Sequence, residues 1–386
     1  MGGGSVSLRR EGSRVIVIVG AGLIGLGIAY ELAKRGATVR VLDAGEPAGA
    51  ASWAGAGMLA PHTETHASEA FEAFCAASLA RYPAFVSELR GHSGVDAQLH
   101  LDGILEAAYD PSNVLRLQEH VERLCIRGIG ARWLTSSEAH LLEPGLGATL
   151  RGAALTEGEG HVDNRRLGRA LRAACEVLGV RVESQVGSVA LEADARRALG
   201  VRVPDGFVAA DTVINATGAW AAGLEGVPEM ARVPVVPVKG QMLALAVPRN
   251  FVRRVVWVPG AYLVPREDGR LLVGATVERS GFDVRFTAAA ARSLLEAALE
   301  AMPALADFAL AETWAGLRPG TPDGLPFIGA TALGGYVVAS GHYRNGILLT
   351  PATAVAVADL LEGRASGELS LFSPQRAQEA VVPLAK

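Results

Sequence analysis

Residues 14–43 read RVIVIVGAGLIGLGIAYELAKRGATVRVLD, and the order of elements in this stretch decides the fold. An apolar run suited to a buried strand leads into a Gly20-x-Gly22-x-x-Gly25 turn, then an apolar helix, then a second strand that closes on Asp43. That is the order of a nucleotide-binding βαβ unit. Gly20 permits the tight turn, Gly22 lets the backbone approach a pyrophosphate, and Gly25 lets the helix pack closely on the strand. The phosphates then sit on the positive end of the helix, with Leu23 and Ile24 in its first turn. Asp43 stands about 20 residues on, where its carboxylate accepts hydrogen bonds from ribose hydroxyls.

The same acid disfavours a 2′-phosphate, leaving NAD and FAD as the candidates. Position argues for FAD. The fingerprint is followed by Gly49-Ala-Ala-Ser-Trp-Ala-Gly-Ala-Gly-Met-Leu-Ala60, a run of small residues whose backbone can lie against a large flat ligand and offer it amide hydrogens. Trp53, Met58 and Leu59 argue against reading the run as a solvated linker. Further along, 207–216 reads as a strand entering a second glycine turn at Gly218, as though the chain had returned to the nucleotide unit.

At 386 residues the chain can bury a large core and is expected to form two domains. Half of it is hydrophobic, its net charge is −4 and its pI is near 6.1. No basic run is long enough to suggest a nucleic-acid or anionic-membrane surface, so a small-molecule substrate is the expected partner. Cys75, Cys125 and Cys175 are odd in number and far apart, with no CxxC or CxxH spacing. Neither disulfides nor a zinc site is expected, each thiol is read as buried on a helix, and a reducing cytoplasm is the expected compartment. The apolar stretch at 15–30 is interrupted by the fingerprint glycines and is too short for a membrane anchor. Residues 1–13 are read as a mobile tail.

Beyond the fingerprint, helical periodicity covers 68–89, 113–127 and 287–302, and Asp163 caps a helix ending near Gly179. Strand patterns cover 98–107, 180–186, 200–203, 207–216, 235–247, 255–258, 261–264, 270–275 and 336–339. The segment 316–363 reads as glycine-rich turns, followed by a helix near Thr350-Pro351 with proline in the tolerated first turn. There is no internal repeat. These patterns predict an α/β chain in which a Rossmann-like FAD-binding domain is interleaved with an α+β, antiparallel-sheet substrate domain. The expected division assigns 14–90, 155–232 and 315–386 to the former and 91–154 and 233–314 to the latter.

Two arginines lie in glycine-rich, largely uncharged surroundings: Arg318 in Gly316-Leu-Arg-Pro-Gly-Thr-Pro-Asp-Gly324, and Arg344 in Ser340-Gly-His-Tyr-Arg-Asn-Gly346. A planar guanidinium suits a carboxylate. Arg318 is the first choice for anchoring an acid substrate; its competing role is an ion pair with Asp323 or another carboxylate. His342, Tyr343, Asn345 and Gly346 precede a hydrophobic helix, so their amides can face the electron-rich edge of a flavin. Tyr262 lies on a strand whose inward face would meet substrate. No GxSxG elbow, HExxH pair or P-loop lysine is present. Glu157 and Glu159 sit in a polar turn and are read as solvated.

The chain resembles the D-amino-acid oxidase superfamily of flavoproteins, and within it the glycine oxidases of thiamine biosynthesis. The residues that carry the resemblance are Ala56-Gly-Met-Leu59, Pro237-Val-Lys-Gly-Gln241, Tyr262-Leu-Val-Pro265, Leu272-Val-Gly-Ala-Thr276, Trp314-Ala-Gly-Leu-Arg-Pro-Gly-Thr321 and Gly341-His-Tyr-Arg-Asn-Gly-Ile-Leu-Leu349. The resemblance implies that Leu23 and Ile24 lie at the pyrophosphate and Asp43 with Ala44 at the adenosine. Ala51, Ser52, Ala56, Gly57 and Met58 would line the flavin, Val186 would contact the adenine side, and His342 through Leu348, Ile347 included, would wrap the isoalloxazine. Arg318 would bind the substrate carboxylate, with Tyr262 beside it and Arg344 completing the pocket.

The activity implied is oxidative deamination of glycine, sarcosine or small D-amino acids with oxygen as acceptor, yielding a 2-oxo acid, ammonia and hydrogen peroxide. Hydride would leave the neutral amine for flavin N5 without a side-chain base. Related sarcosine oxidases tether flavin through a C-terminal cysteine; no cysteine follows Cys175, so noncovalent FAD is expected. Relatives assemble as tetramers, so a homo-oligomer is expected as well. Two alternatives stand beside this reading: an FAD-dependent amino-acid dehydrogenase that passes electrons to a quinone or carrier, and a nucleotide-binding regulatory protein without turnover.

Overall fold

The computed structural model describes residues 14–64, 68–364 and 367–379. The tail expected to be mobile at 1–13 lies outside them. Two sheets organise the chain. The first has six strands in the order Phe327–Ala330, Tyr336–Ser340, Thr212–Asn215, Val15–Val19, Thr38–Leu42, Arg181–Glu183. Every neighbouring pair is parallel except Phe327–Ala330 with Tyr336–Ser340. Val15–Val19 is central because both its faces are apolar: Val17 and Ile18 are completely buried.

The helix Leu23–Lys34 follows the glycine turn and packs on this sheet and against the helix Thr350–Leu361. Its closeness to the strand depends on Gly25. A Cβ there would lie 1.9 Å from the Gly20 carbonyl oxygen, and a Cβ on Gly20 itself, at φ +104°, would lie 2.5 Å from the Ala216 oxygen. Helices Asn164–Val177 and Glu69–Ser93 complete this layer, capped by Asp163 and Ser68 on the backbone N–H groups of Arg166 and Phe71.

The second sheet has eight strands, in the order Ala309–Gly320, Val236–Ala246, Arg270–Gly274, Ala261–Pro265, Val255–Val258, Ile104–Ala108, Gly152–Thr156, Ala131–Thr135. It is antiparallel throughout except where Val255–Val258 meets Ile104–Ala108. The helix Ala288–Ala301 covers one face, burying Leu294, Ala298 and Ala301 in one cluster with Leu243, Val256 and Leu263. The fold is thus a Rossmann-like α/β sheet interleaved with a mainly antiparallel one. Gly152–Thr156 and Ala309–Gly320 run unbroken across the boundaries expected at 154/155 and 314/315, because ladder hydrogen bonds hold each as one strand. We propose that the domain division falls at the ends of these strands.

Three local expectations are corrected. The single strand expected at 207–216 is two: Gly206–Ala209 pairs with Ala198–Val203 in a three-stranded meander, while Thr212–Asn215 belongs to the central sheet. Between them the Ala210 and Asp211 N–H groups bond to Leu199 and Val15, so the chain changes sheet in two residues. Residues 316–320, expected as turn, extend the 12-residue strand Ala309–Gly320 because they pair with Val236–Gly240. Cys75 and Cys175 are buried, but Cys125 is exposed on the polar side of the helix Pro111–Ile126.

Candidate functional site

A cavity of about 900 Å³ runs between the two sheets, within the size range of ligand sites. Gly20, Gly22, Leu23, Ile24, Asp43 and Ala44 line one part; Ala51, Ser52, Ala56, Gly57 and Met58 another; Gly218 and 342–347 a third; Tyr262 and Arg318 complete the wall. Three residues expected to touch cofactor do not reach the surface. Gly25 lies beneath Gly20, where its missing side chain lets helix meet strand. Leu348 is 1 % exposed and packs into the core, its carbonyl accepting from the Ser78 hydroxyl. Val186 packs among Val19, Leu42 and Leu191 while its N–H donates to the Asp43 carbonyl, and its neighbours Gly187, Ser188 and Val189 form the wall instead.

At the glycine turn, Asp43 accepts from the N–H groups of Ala21 at 2.6 Å and Gly45 at 2.8 Å, so one carboxylate braces both turns that flank it. The helix Leu23–Lys34 has no side-chain cap at Gly22 and no acidic residue in its first turn. The Leu23 N–H bonds to Ser52 Oγ at 3.0 Å and the Leu26 N–H to Gly22 O at 2.9 Å, which leaves the N–H groups of Ile24 and Gly25 without an intrahelical acceptor. Such an end, left without a carboxylate, suits a pyrophosphate.

The small-residue run is held from outside. Asn164 Nδ2 donates to Ser52 O at 2.7 Å, and Arg266 Nη2 donates to Ala56 O at 2.7 Å and to Asn164 Oδ1 at 3.1 Å. Burial lowers the Arg266 pKa to about 10. Gly57 sits at φ +76° with its absent Cβ 1.9 Å from the Val162 oxygen. Trp314 Nε1 donates to Ala54 O, and a Cβ on Gly316 would meet Ala54 Cβ at 2.4 Å, so the substrate sheet presses directly on this run. The uncapped helix end, the Asp43 carboxylate and this Cβ-poor wall together fit FAD. Opposite them, Tyr343 holds φ +48° with its N–H on Pro319 O, and His342 is 2 % exposed, its Nε2 3.1 Å from Thr353 Oγ1. Burial pushes the His342 pKa down to about 3, so the imidazole is neutral.

Arg318 has no carboxylate within bonding distance among the described residues. Its expected competitor Asp323 pairs with Arg376 at 2.8 Å instead. One Arg318 nitrogen donates to the carbonyls of Lys239 at 3.3 Å and Thr276 at 3.1 Å, while the guanidinium lies flat on Gly240. Arg344 has no ion-pair partner among the described residues either, and its guanidinium lies 5.9 Å from the Tyr343 ring centroid. The Tyr262 hydroxyl faces Met242 Sδ at 3.9 Å. Burial raises its pKa, while Arg318 and Arg344 oppose the rise. Two unpaired cations beside a phenol and a methionine make a receptor for a small carboxylate.

A Cβ on Gly240 would come within 2.2 Å of Arg318 Nη1. Only a mobile side-chain end stands in its way, so Gly240→Ala is expected to fold normally yet displace the guanidinium. The measurable result is a KM for the acid substrate raised roughly 10-fold, for loss of one charge-assisted bond, with an unshifted melting temperature; an unchanged KM would place the carboxylate elsewhere.

Two acids not chosen as site residues from the sequence belong here, Glu64 and Glu159. Glu64 lines the cavity with the two arginines. Glu159, expected to be solvated, has no exposed surface: it accepts from the His62 and Thr63 N–H groups and the Thr63 hydroxyl, tying down the chain just before Glu64. Burial raises its pKa to about 7. Because this carboxyl holds its proton more tightly when folded, its stabilising contribution is complete below the ordinary carboxyl value and is lost as pH rises through about 7. Relative to wild type, Glu159→Gln is therefore expected to gain stability between pH 5 and 8 by about 2–3 kcal/mol; denaturant midpoints across that range measure it, and parallel curves would refute it. The signal for Glu64 was its place, six residues after Met58. Glu159 had none, since a polar turn reads alike whether solvated or buried.

The fold and the cavity suit an extended dinucleotide, with Arg318 and Arg344 on the same wall. The family model described as FAD dependent oxidoreductase matches residues 16–360. The chain belongs to this family, and FAD is its cofactor. It is 38% identical over 375 residues to the bifunctional protein ThiO/ThiG of Trichormus variabilis, covering 95% of this chain and 56% of that protein. It therefore spans little more than half the length of such two-part relatives. It is 37% identical over 356 residues to the glycine oxidase of Pseudomonas aeruginosa, covering 91% of this chain and 96% of that one. The crystal structure of glycine oxidase from Geobacillus kaustophilus superposes with a TM-score of 0.88 at 35% identity, covering 94% of this chain and 98% of that one. Among the described residues no helix is long and apolar enough to cross a membrane.

Proposed function

We propose that this protein oxidises glycine and other small amino acids, such as sarcosine and small D-amino acids, with oxygen as final acceptor, and that it serves the making of the thiamine thiazole. The observation that carries the reading is the pair of arginines, Arg318 and Arg344, with no carboxylate within bonding distance among the described residues, facing the cavity that fits FAD. The glycine oxidases among its relatives support the choice of substrate.

In this reading Arg318 takes the substrate carboxylate with its free nitrogens, being held in place by the Lys239 and Thr276 carbonyls and the flat seat on Gly240. Arg344 closes on the same carboxylate from the opposite loop. Tyr262, its phenol kept protonated by burial, donates to a carboxylate oxygen. FAD, when bound, supplies the acceptor for the hydride that leaves Cα. The side chains thereby fix the orientation of the Cα–H bond, and positioning of this kind contributes most of the rate. Met58 and Met242 form the apolar wall that limits side-chain size. Water then hydrolyses the imine to 2-oxo acid and ammonia, and oxygen takes the two electrons as hydrogen peroxide.

Peroxide formation by the purified yellow protein with glycine, sarcosine or D-alanine in aerated buffer tests the proposal, with anaerobic bleaching of the flavin band in parallel. Peroxide supports it; bleaching without peroxide would make the protein a dehydrogenase, and no bleaching would reject the substrate class. We propose further that FAD is held noncovalently, since none of the three cysteines lines the cavity. Acid precipitation is then expected to leave the colour in solution, and a yellow pellet would contradict it. A cytoplasmic homo-oligomer is the proposed working form, to be checked by sedimentation.

A further inference from the structure

An amino-acid substrate carries a second charge that Arg318 and Arg344 repel: its ammonium group. The same cavity holds one acid, Glu64, that both arginines act upon. Its carboxylate has no hydrogen bond or ion pair among the described residues. Asp43 and Glu46, also on the wall, are engaged at the nucleotide turns, by Ala21 and Gly45 and by Gln185 respectively. Glu64 is not carried on a loose arm. Its N–H bonds to Ala60 O at 3.3 Å, Pro61 is buried, and the two residues between are clamped by buried Glu159. An unsatisfied carboxylate, presented from a braced turn into the cavity that Arg318, Arg344 and Tyr262 also line, lacks only a cation to complete it.

We propose that Glu64 receives the substrate's amino group, taking a proton from the ammonium nitrogen to a carboxylate oxygen before the Cα–H bond breaks. The inference rests on the proposed function. The proton transfer leaves a lone pair on nitrogen, and that pair becomes the second bond of the C=N product as the hydride departs. Glu64 ends protonated and returns the proton to water. Burial favours the protonated carboxyl, which makes Glu64 a better acceptor than an exposed glutamate, while Arg344 and Arg318 hold the value back. The other titratable groups that face it are Tyr262, Glu159 and the Cys75 thiol, all kept neutral more readily by burial. The expectation that hydride transfer needs no side-chain base covers the C–H bond; it leaves open how the amine becomes neutral, and Glu64 fills that step.

The test uses FAD-loaded wild type, Glu64→Gln and Glu64→Asp. Anaerobic flavin bleaching by glycine is followed across pH 6–9, and acetate, a carboxylate without an amine, is titrated against the flavin spectrum. In Glu64→Gln the bleaching rate at pH 7 is expected to fall roughly 10²-fold and to climb about tenfold per pH unit, because the amine must then be deprotonated by solvent. Acetate is expected to bind several-fold more tightly, since a repelling carboxylate has gone. Glu64→Asp should restore part of the rate and flatten the profile, and it keeps the test available if Glu64→Gln loses FAD. A Glu64→Gln profile parallel to wild type, or weakened acetate binding, would overturn the proposal and leave Glu64 as a structural counter-charge to the arginines. If glycine fails to bleach the wild type, the substrate assignment itself falls, and this inference with it.

Discussion

Arg318→Ala is expected to lower kcat/KM for glycine by roughly 10²–10³-fold, almost all of it through KM, while FAD stays bound. A guanidinium that grips a carboxylate through two nitrogens makes charge-assisted bonds worth about 1.5–3 kcal/mol each. Arg344 remains to hold part of the charge, so the net loss is set at about 3–4 kcal/mol, at 1.4 kcal/mol per tenfold. The substrate carboxylate does not react and is held alike before and during hydride transfer, which is why the cost falls on KM rather than kcat. Nothing in the nucleotide end depends on Arg318: its hydrogen bonds go to Lys239 of the other sheet and to Thr276, just past the end of that sheet's strand Arg270–Gly274. Steady-state peroxide assays with the flavin spectrum as a control read both halves of the expectation. An unchanged KM would remove Arg318 from the site, and loss of colour would mean that it supports the cofactor.

The largest structural effect is expected from Gly25→Ala. Its Cβ would stand 1.9 Å from the Gly20 carbonyl oxygen, a contact between backbone atoms that no side-chain rotation relieves. Either helix Leu23–Lys34 lifts from the strand or the glycine turn opens, and both move the N–H groups that face the cavity. Overpacking of this kind costs about 3 kcal/mol or more, and the variant is expected to purify colourless with a depressed denaturation midpoint. Gly91→Ala is the matched control: it lies in the helix Glu69–Ser93 with nothing within 4 Å of its added Cβ, and alanine is expected to stabilise there by about 0.5–1 kcal/mol. A yellow, fully stable Gly25→Ala protein would show that the close approach of helix and strand is not needed to bind FAD.

Much of this molecule was legible because its strongest signals are local. The unbroken apolar strand, three glycines at fixed spacing and an acid on the next strand specify one supersecondary unit. The strand Val255–Val258 and the capped helices at Ser68, Asp163 and Thr287 follow likewise from residues within a turn of each other. The interleaved two-sheet plan also followed, since the apolar periods change character along the chain. Arg318 and Arg344 stood out for the same reason: each sits among glycines with no carboxylate close by in sequence except Asp323.

What only the tertiary structure decided is how groups distant in sequence meet. Asp323 was resolved as the partner of Arg376 rather than Arg318, across 53 residues, by the packing of the C-terminal segment on the central sheet. Val186 was one residue short of the cavity because its backbone is spent on Asp43. Glu159 became a buried brace because residues 62 and 63, nearly a hundred positions away, bring three donors to it. Glu64 gained a chemical role because the chain folds it into the same cavity as two arginines about 250 or more residues later in the sequence. Local pattern reports what a residue's neighbours in the chain require. Whether a charge is solvated, paired or left waiting for a ligand depends on the dielectric and the partners that long-range packing assembles around it.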